Sequence, residues 1–150
     1  MIEIASAILD VMNNNYDIHK AAGIIIKGRR LLVERSKGKD VFVAPGGKLE
    51  LGETAIRAVI RELKEEFQLN VTEDDLEVFG TFYAEAAGSH NAGKKLRMDV
   101  FVIKNAGEIS PDNEVEEVRW ISSDIPGDIE VGSIFAHEVL PRLKEKDLVD

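Results

Sequence analysis

Three glutamates, Glu62, Glu65 and Glu66, lie in a stretch of sequence whose apolar residues recur with the period of a helix. The stretch runs from Thr54 to about Leu69, and its apolar positions define one face that would pack on a core. Those positions are Ile56, Val59, Ile60, Leu63 and Phe67. Residues three and four apart are neighbours on a helix, so the glutamates share another face. Like charges at that spacing destabilise a helix by roughly 0.2–0.5 kcal/mol a pair, and a cation would offset the repulsion.

Two kinds of cation could compensate these carboxylates. Arg57, Arg61 and Lys64 lie on the same helix, and a solvated, charged helix face is the more common meaning of such a pattern. The alternative is a divalent metal ion, because Mg²⁺ and Mn²⁺ bind carboxylate and carbonyl oxygens. The helix pattern by itself favours the solvated face. The choice between a solvated face and a metal site therefore depends on the segment that precedes the helix.

That preceding segment begins Pro45-Gly46-Gly47-Lys48 and reaches the helix through Glu53. Two successive glycines permit close backbone approach, so the loop can direct a peptide carbonyl toward a cation. The segment is not a Walker-type phosphate loop, because Lys48 is followed by leucine rather than serine or threonine. A glycine-rich connection between a strand and a helix is the simpler interpretation of the loop by itself.

Loop and helix together read GKLELGETAIRAVIRELKEEFQL, from Gly47 to Leu69, and this segment resembles the Nudix box. The box has the pattern G-x5-E-x7-R-E-U-x-E-E-x-G-U, in which U is apolar. The matching residues are Gly47, Glu53, Arg61, Glu62, Leu63, Glu65, Glu66 and Leu69. Gln68 stands where the pattern has its last glycine, a natural left-handed helix cap. We therefore expect the helix to continue to Leu69 and to end at Asn70, which tolerates that conformation.

The resemblance implies a metal site with Mg²⁺ as the cofactor and Mn²⁺ as a substitute. Glu62 and Glu66 would be the principal ligands, and the Gly46 carbonyl would be a backbone ligand. Glu65 would be a further ligand or the partner of a metal-bound water, and so a catalytic residue.

The resemblance also implies two contributions from outside the glutamate face. Arg61 would pair with Glu53 and hold the loop against the helix, which makes both residues important for catalysis. A later loop would supply a general base or an additional ligand. This chain offers Glu114, Glu116 and Glu117 there, and Glu114 is our first choice.

The implied activity is metal-dependent hydrolysis of a diphosphate linkage in a nucleotide derivative. The leading substrate is a nucleoside triphosphate, modified or not, cleaved to monophosphate and pyrophosphate. ADP-ribose or another nucleoside diphosphate sugar is the alternative. A non-catalytic nucleotide-sensing domain of the same fold is a third reading, which we disfavour because every acidic position of the box is present.

The substrate-binding residues are less well defined by the sequence. Lys48, Phe82 and Tyr83 are the candidates, although the two aromatic residues, like Phe101 and Trp120, lie in strand patterns and fit a core as well. A polar segment from 88 to 95 contains His90, Lys94 and Lys95, and it would either cover the site or form a plain solvated loop. We interpret His19 and His137 as structural, because neither has a paired ligand motif.

Short strands interspersed with helices place the chain in the α/β class. Lys20–Ile26 and Arg30–Glu34 read as a hairpin that turns at Gly28. Further strands are predicted at Val41–Ala44, Leu76–Ala84, Leu96–Lys104 and Val115–Ile121, and a last helix from Ser133 toward Leu140, bent or ended by Pro141. With the resemblance, this order predicts a Nudix-like α/β/α sandwich, a mixed β-sheet between helices.

Length and composition indicate one domain over residues 1–150, with residues 1–15 as a helical N-terminal extension. That helix would pack on the core or, as the alternative, on a second copy in a homodimer. A net charge of -9 argues against binding nucleic acid or an anionic membrane, and no apolar run could cross a bilayer. The absence of cysteine and of a signal segment favours the cytoplasm. The expected partner is a small-molecule nucleotide, which this acidic protein would attract through bound metal.

Overall fold

The computed structural model describes residues 16–85, 93–112 and 114–150. The strands are β1 (Ile18–Ile24), β2 (Ile26–Lys27), β3 (Arg30–Ser36), β4 (Val41–Phe42), β5 (Gly46–Lys48), β6 (Leu76–Glu85), β7 (Lys95–Ile103), β8 (Val115–Ile121) and β9 (Glu130–Val131). The helices are α1 (Ala55–Phe67) and α2 (Leu140–Glu145), with a 3-10 turn at Glu73–Asp75 and a π turn at Phe135–Val139. The predicted N-terminal helix and the part of the polar loop that holds His90 lie outside the described residues.

Three small sheets form the middle of the molecule. The largest has the order β5-β1-β7-β6 and is mixed, because β1 runs parallel to β7 while the other pairs are antiparallel. An antiparallel sheet has the order β2-β3-β8, and β4 pairs in parallel with β9. The predicted mixed sheet is therefore present, with β5 as a short strand that the sequence pattern had not indicated.

Helices cover both faces of these sheets. Successive side chains of a strand point to opposite sides, so two neighbouring residues of β1 show what packs on each face. On β1, Ala21 packs in one apolar cluster with Val59 and Leu63 of α1. Its neighbour Ala22 packs in the other cluster, which holds Leu143 of α2. The predicted α/β/α arrangement is confirmed.

The last helical segment extends past Pro141, so of the two predicted effects of this proline, ending the helix is wrong, while bending it stays a prediction. Helical conformation continues from the π turn directly into α2, which ends at Glu145. The Leu140 N–H donates to the carbonyl of Phe135, five residues back, so the backbone widens just before the proline. A proline lacks an N–H and its ring crowds the carbonyl four residues earlier, and a wider turn relieves that crowding.

Helix α1 ends at Phe67, not at Asn70 as the sequence had suggested. Gln68 itself adopts the left-handed conformation, with φ 57° and ψ 30°. Its N–H donates to the Lys64 carbonyl, and the Leu69 N–H donates to the Leu63 carbonyl. The buried side chain of Leu69 joins the apolar cluster under α1, and this packing holds the chain in the turn despite the missing glycine.

Replacing Gln68 with glycine should raise the free energy of unfolding by about 1 kcal/mol. A side chain in the left-handed region costs roughly 1–2 kcal/mol, and part of the gain from removing it is lost because glycine has more conformational entropy in the unfolded chain. For a chain of this size, the net gain corresponds to an increase in Tm of about 2–4 °C. Thermal unfolding of Gln68→Gly checks this, with Gln68→Ala as the control that keeps the strain. A Gly variant that melts below wild type would show that the Gln68 side chain stabilises the turn.

Candidate active site

Helix α1 begins at a defined residue and so fixes which face its glutamates present. The Thr54 side chain caps the helix by accepting a hydrogen bond from the Arg57 N–H at 3.2 Å. Ala58, Val59, Leu63 and Phe67 form the buried face. Glu62 and Glu66 are only partly exposed on the adjacent face, whereas half of the Glu65 side chain is accessible to solvent.

The two glycines of β5 bring backbone directly under these glutamates. Gly46 has φ +148°, and a Cβ there would lie 2.1 Å from the Ala21 carbonyl oxygen, so only glycine fits. A Cβ on Gly47 would lie 2.7 Å from Oε1 of Glu62. The Gly46 N–H donates to Oε1 of Glu66 at 3.1 Å, which joins the strand to the helix.

Arg61 connects the loop to the helix through an ion pair with Glu53, as the resemblance implied. Both its Nε and one Nη donate to the Glu53 carboxylate at 2.8 Å. The same guanidinium donates to the Lys48 carbonyl at 3.2 Å and to Oε1 of Glu62 at 2.9 Å. The hydrogen bonds from Arg61 lower the pKa of Glu53 to about 2. Arg61 and Glu53 therefore tie the loop to the helix, and neither is among the residues that line the cavity described next.

A cavity of about 900 Å³ opens beside α1. The residues predicted for metal binding and catalysis that line it are Gly46, Glu62, Glu65, Glu66 and Glu114. Glu114 precedes β8, and its carbonyl accepts a hydrogen bond from the Lys37 N–H at 2.8 Å. The alternative Glu117 instead pairs with Arg35 and Arg119 away from this cavity. Predicted site residues that are far apart in the sequence thus line the same cavity.

The three candidates for substrate binding are not among the residues that line this cavity. Lys48 lies exposed on β5. Phe82 is buried in the core, with the Arg142 guanidinium 4.9 Å from its ring. Tyr83 is half exposed, and it points to the opposite side of β6 from Phe82.

His19 lies in a separate polar cluster on the large sheet. Its Nε2 is 2.6 Å from Oδ2 of Asp99, and the Thr81 hydroxyl donates to Oδ1 of the same carboxylate at 2.6 Å. These hydrogen bonds satisfy the buried Asp99, and a structural role for His19 stays a prediction.

Sequence reasoning missed five charged residues that line the cavity, namely Lys20, Glu34, Lys39, Asp40 and Glu85. Glu34 follows three apolar residues of β3 and is 1% exposed. The sequence did contain a signal for Glu34. It is a charged residue at the end of an apolar run, at a position where strand alternation predicts a side chain that faces the core. Lys20 is the third residue of β1, directly before an apolar run, and is partly exposed.

Burial dominates the electrostatics of this site. It raises the pKa of Glu66, and the neighbouring carboxylates of Glu34 and Glu62 raise it further. Burial likewise raises the pKa of Glu34. On the cationic side, burial and the charges of Lys48 and Lys39 lower the pKa of Lys20. Burial and mutual repulsion therefore disfavour the ionised forms of Glu34 and Glu66, in a cavity lined by more acidic than basic residues.

Comparison with known proteins identifies the class of protein. The family model described as "NUDIX domain" matches residues 17–143, and the chain belongs to this family. The protein is thus a Nudix-type pyrophosphohydrolase. Enzymes of this family act on small-molecule nucleotides. A comparison with curated protein sequences gives no match. Among the described residues, no helix is long and apolar enough to span a membrane.

Solved structures share the fold at low sequence identity. The ORF135 protein of E. coli is 19% identical with a TM-score of 0.67, over 92% of this chain and 98% of that one. A bifunctional NMN adenylyltransferase/ADP ribose pyrophosphatase from Francisella tularensis, complexed with AMP and a Mn ion, is 23% identical with a TM-score of 0.62, over 95% of this chain and 46% of that one. The E. coli dihydroneopterin triphosphate pyrophosphohydrolase is 21% identical with a TM-score of 0.59, over 72% and 82%.

Proposed function

We propose that the protein hydrolyses a nucleoside triphosphate, modified or not, to a monophosphate and pyrophosphate in a reaction that requires Mg²⁺, with Mn²⁺ as a substitute. The observation that carries the proposal is the meeting of Glu62, Glu65, Glu66 and Glu114 in one cavity. Its volume of about 900 Å³ lies within the range of small-molecule sites.

The donor set fits a hard divalent cation. Glu62 and Glu66 would be the principal ligands, with Glu65 and the Gly46 carbonyl as further oxygen donors. Among the described residues, no group of three carboxylate or histidine side chains is already arranged to hold a metal ion, and Arg61 donates a hydrogen bond to Glu62. Binding therefore requires the glutamate side chains that line the cavity to move closer together. A bound cation would neutralise phosphate charge and polarise the phosphorus centre.

Glu114 is our proposed general base. It faces the cavity from the segment before β8, while Glu62, Glu65 and Glu66 face it from α1. A carboxylate in this position can accept a proton from the water that attacks a phosphorus of the diphosphate linkage. The attack breaks the bond from that phosphorus to the oxygen that bridges the α- and β-phosphates. Pyrophosphate leaves with that oxygen if the α-phosphorus is attacked, and the monophosphate leaves with it if the β-phosphorus is attacked.

Lys20 and Lys39 are the proposed contacts for the substrate phosphates. Both line the cavity with the glutamates, whereas the predicted Lys48 does not. An apolar wall, formed by Ile18, Leu96, Met98 and Phe135, completes the lining and offers a surface for the nucleoside.

Replacing Lys20 with methionine should lower kcat/KM at least tenfold, because a hydrogen bond between charged groups contributes about 1.5–3 kcal/mol and each 1.4 kcal/mol is tenfold. Lys48→Met is a matched control, since Lys48 pairs with Lys20 across β1 and β5 but lies outside the cavity. Steady-state kinetics of both variants provide the measurement. Equal losses in the two variants would contradict the assignment of Lys20.

The substrate class is tested by the products that the enzyme releases. Nucleoside triphosphates should yield pyrophosphate, whereas ADP-ribose, the alternative, would yield AMP and a sugar phosphate. A panel of both classes, assayed at matched concentrations with separate detection of the two products, compares kcat/KM directly. A higher kcat/KM for ADP-ribose would replace our proposal with the alternative.

A further inference from the structure

Glu34 is held in the cavity by its own backbone. Its N–H donates to the Val43 carbonyl at 2.7 Å, and its carbonyl accepts from the Val43 N–H at 2.8 Å. On its other side, Glu34 lies opposite Val118 of β8. Because the strand is paired on both edges, the side chain cannot swing out to solvent without breaking the sheet.

The direction of the Glu34 side chain follows from strand alternation. Leu32, two residues earlier, packs in the apolar cluster under α1, so Glu34 points to the same side. There it lines the same cavity as Glu62 and Glu66, and both of these carboxyl groups interact with it. Residues from β3 and α1 therefore bring carboxylates together inside the fold.

One oxygen of this carboxylate has no partner among the described residues. Oε2 of Glu34 is buried and makes no hydrogen bond. The nearest arginine in sequence, Arg35, points to the other side of the strand and pairs with Glu117. Arg61 is occupied by Glu53 and Glu62. A buried carboxylate without a counterion is costly, so the position is built for a species that supplies positive charge.

We propose that Glu34 is an additional carboxylate ligand of the divalent cation, supplied by β3 opposite the glutamates of α1. The inference rests on the proposed metal-dependent function. A hard cation would satisfy the unpartnered oxygen and relieve the repulsion between Glu34 and Glu66 at once. A single proton shared between the two carboxylates is the competing explanation, and it predicts no role for Glu34 in metal binding.

Calorimetric titration of the metal-free protein with Mn²⁺ alone tests the proposal without any turnover. Loss of even an outer-shell partner typically costs about 10–100-fold in metal affinity, so Glu34→Gln should raise the Kd for Mn²⁺ at least tenfold. Glu34→Met, which keeps the length but has no oxygen, should bind more weakly still. The control Glu145→Gln, on the exposed end of α2, should bind as wild type does.

Thermal unfolding of the same proteins provides the second readout. Without metal, both Glu34 variants should unfold at or above the wild-type temperature, because the buried charge is gone. Their increase in Tm on adding Mn²⁺ should be smaller than that of wild type.

The outcomes separate this inference from the proposed function. Glu34 variants with the wild-type Kd for Mn²⁺, beside a Glu66→Gln variant with weakened binding, would overturn the role of Glu34 and leave the metal-dependent function standing. A wild-type protein that binds no Mn²⁺ would overturn both.

Discussion

Removal of divalent metal ions should abolish hydrolysis and leave the protein folded. The glutamates lie beside the apolar clusters and are not part of them, so the core does not depend on the cation. Without a cation, nothing neutralises the phosphate charge in a cavity that already holds an excess of carboxylates. Activity should fall to background in excess chelator and return on adding Mg²⁺, while circular dichroism remains that of the folded protein.

The chelator experiment needs a control for slow loss of structure. Activity restored by Mg²⁺ after prolonged incubation in chelator shows that the fold has survived. Full turnover in excess chelator, with trace metals measured, would refute the metal-dependent mechanism. A protein that unfolds on chelation would instead show that the cation is structural.

Replacing Glu66 with glutamine should lower kcat by about 10²–10³-fold, the usual cost of losing an electrostatic element that stabilises developing charge. Glutamine keeps the size of the side chain and can still accept the hydrogen bond from the Gly46 N–H. The substitution therefore removes one negative charge with little change in shape. Measurement of kcat at saturating Mg²⁺ checks the prediction.

The control for Glu66→Gln is Glu145→Gln, an exposed glutamate remote in sequence from the box. If the glutamates of α1 were only a solvated surface, the two variants would have the same kcat. That result would refute the site, whereas a loss confined to Glu66→Gln supports it.

The stability of the metal-free protein should depend on pH through Glu66. Its pKa in the folded state is raised above the ordinary value of 4.5, so the folded protein binds more protons than the unfolded chain. Stability from the protonated group is present below about pH 4.5 and is lost as the pH rises through the folded-state pKa. The metal-free Glu66→Gln variant has no titratable group at this position, so it does not lose stability in this way as the pH rises. Its Tm should therefore exceed that of wild type by an amount that grows from pH 5 to pH 8.

The sequence alone determined the parts of the site that are local in the chain. Helix α1 and the face shared by Glu62, Glu65 and Glu66 follow from the period of the apolar residues, because a helix repeats over a few positions. The resemblance of the box added the pairing of Glu53 with Arg61, which the structure shows. It also suggested Glu114, which the structure places in the same cavity.

Other features depended on contacts between distant segments, which no local pattern encodes. Gln68 takes the left-handed conformation because Leu69 packs into the core, although its own residue type disfavours it. Glu34 and Lys20 reach the cavity because β3 and β1 are placed by pairing with strands far along the chain. Strand pairing decides which side chains meet, and its register is set by the whole fold rather than by neighbours in sequence. Only the tertiary structure could therefore bring a carboxylate of β3 against the glutamates of α1.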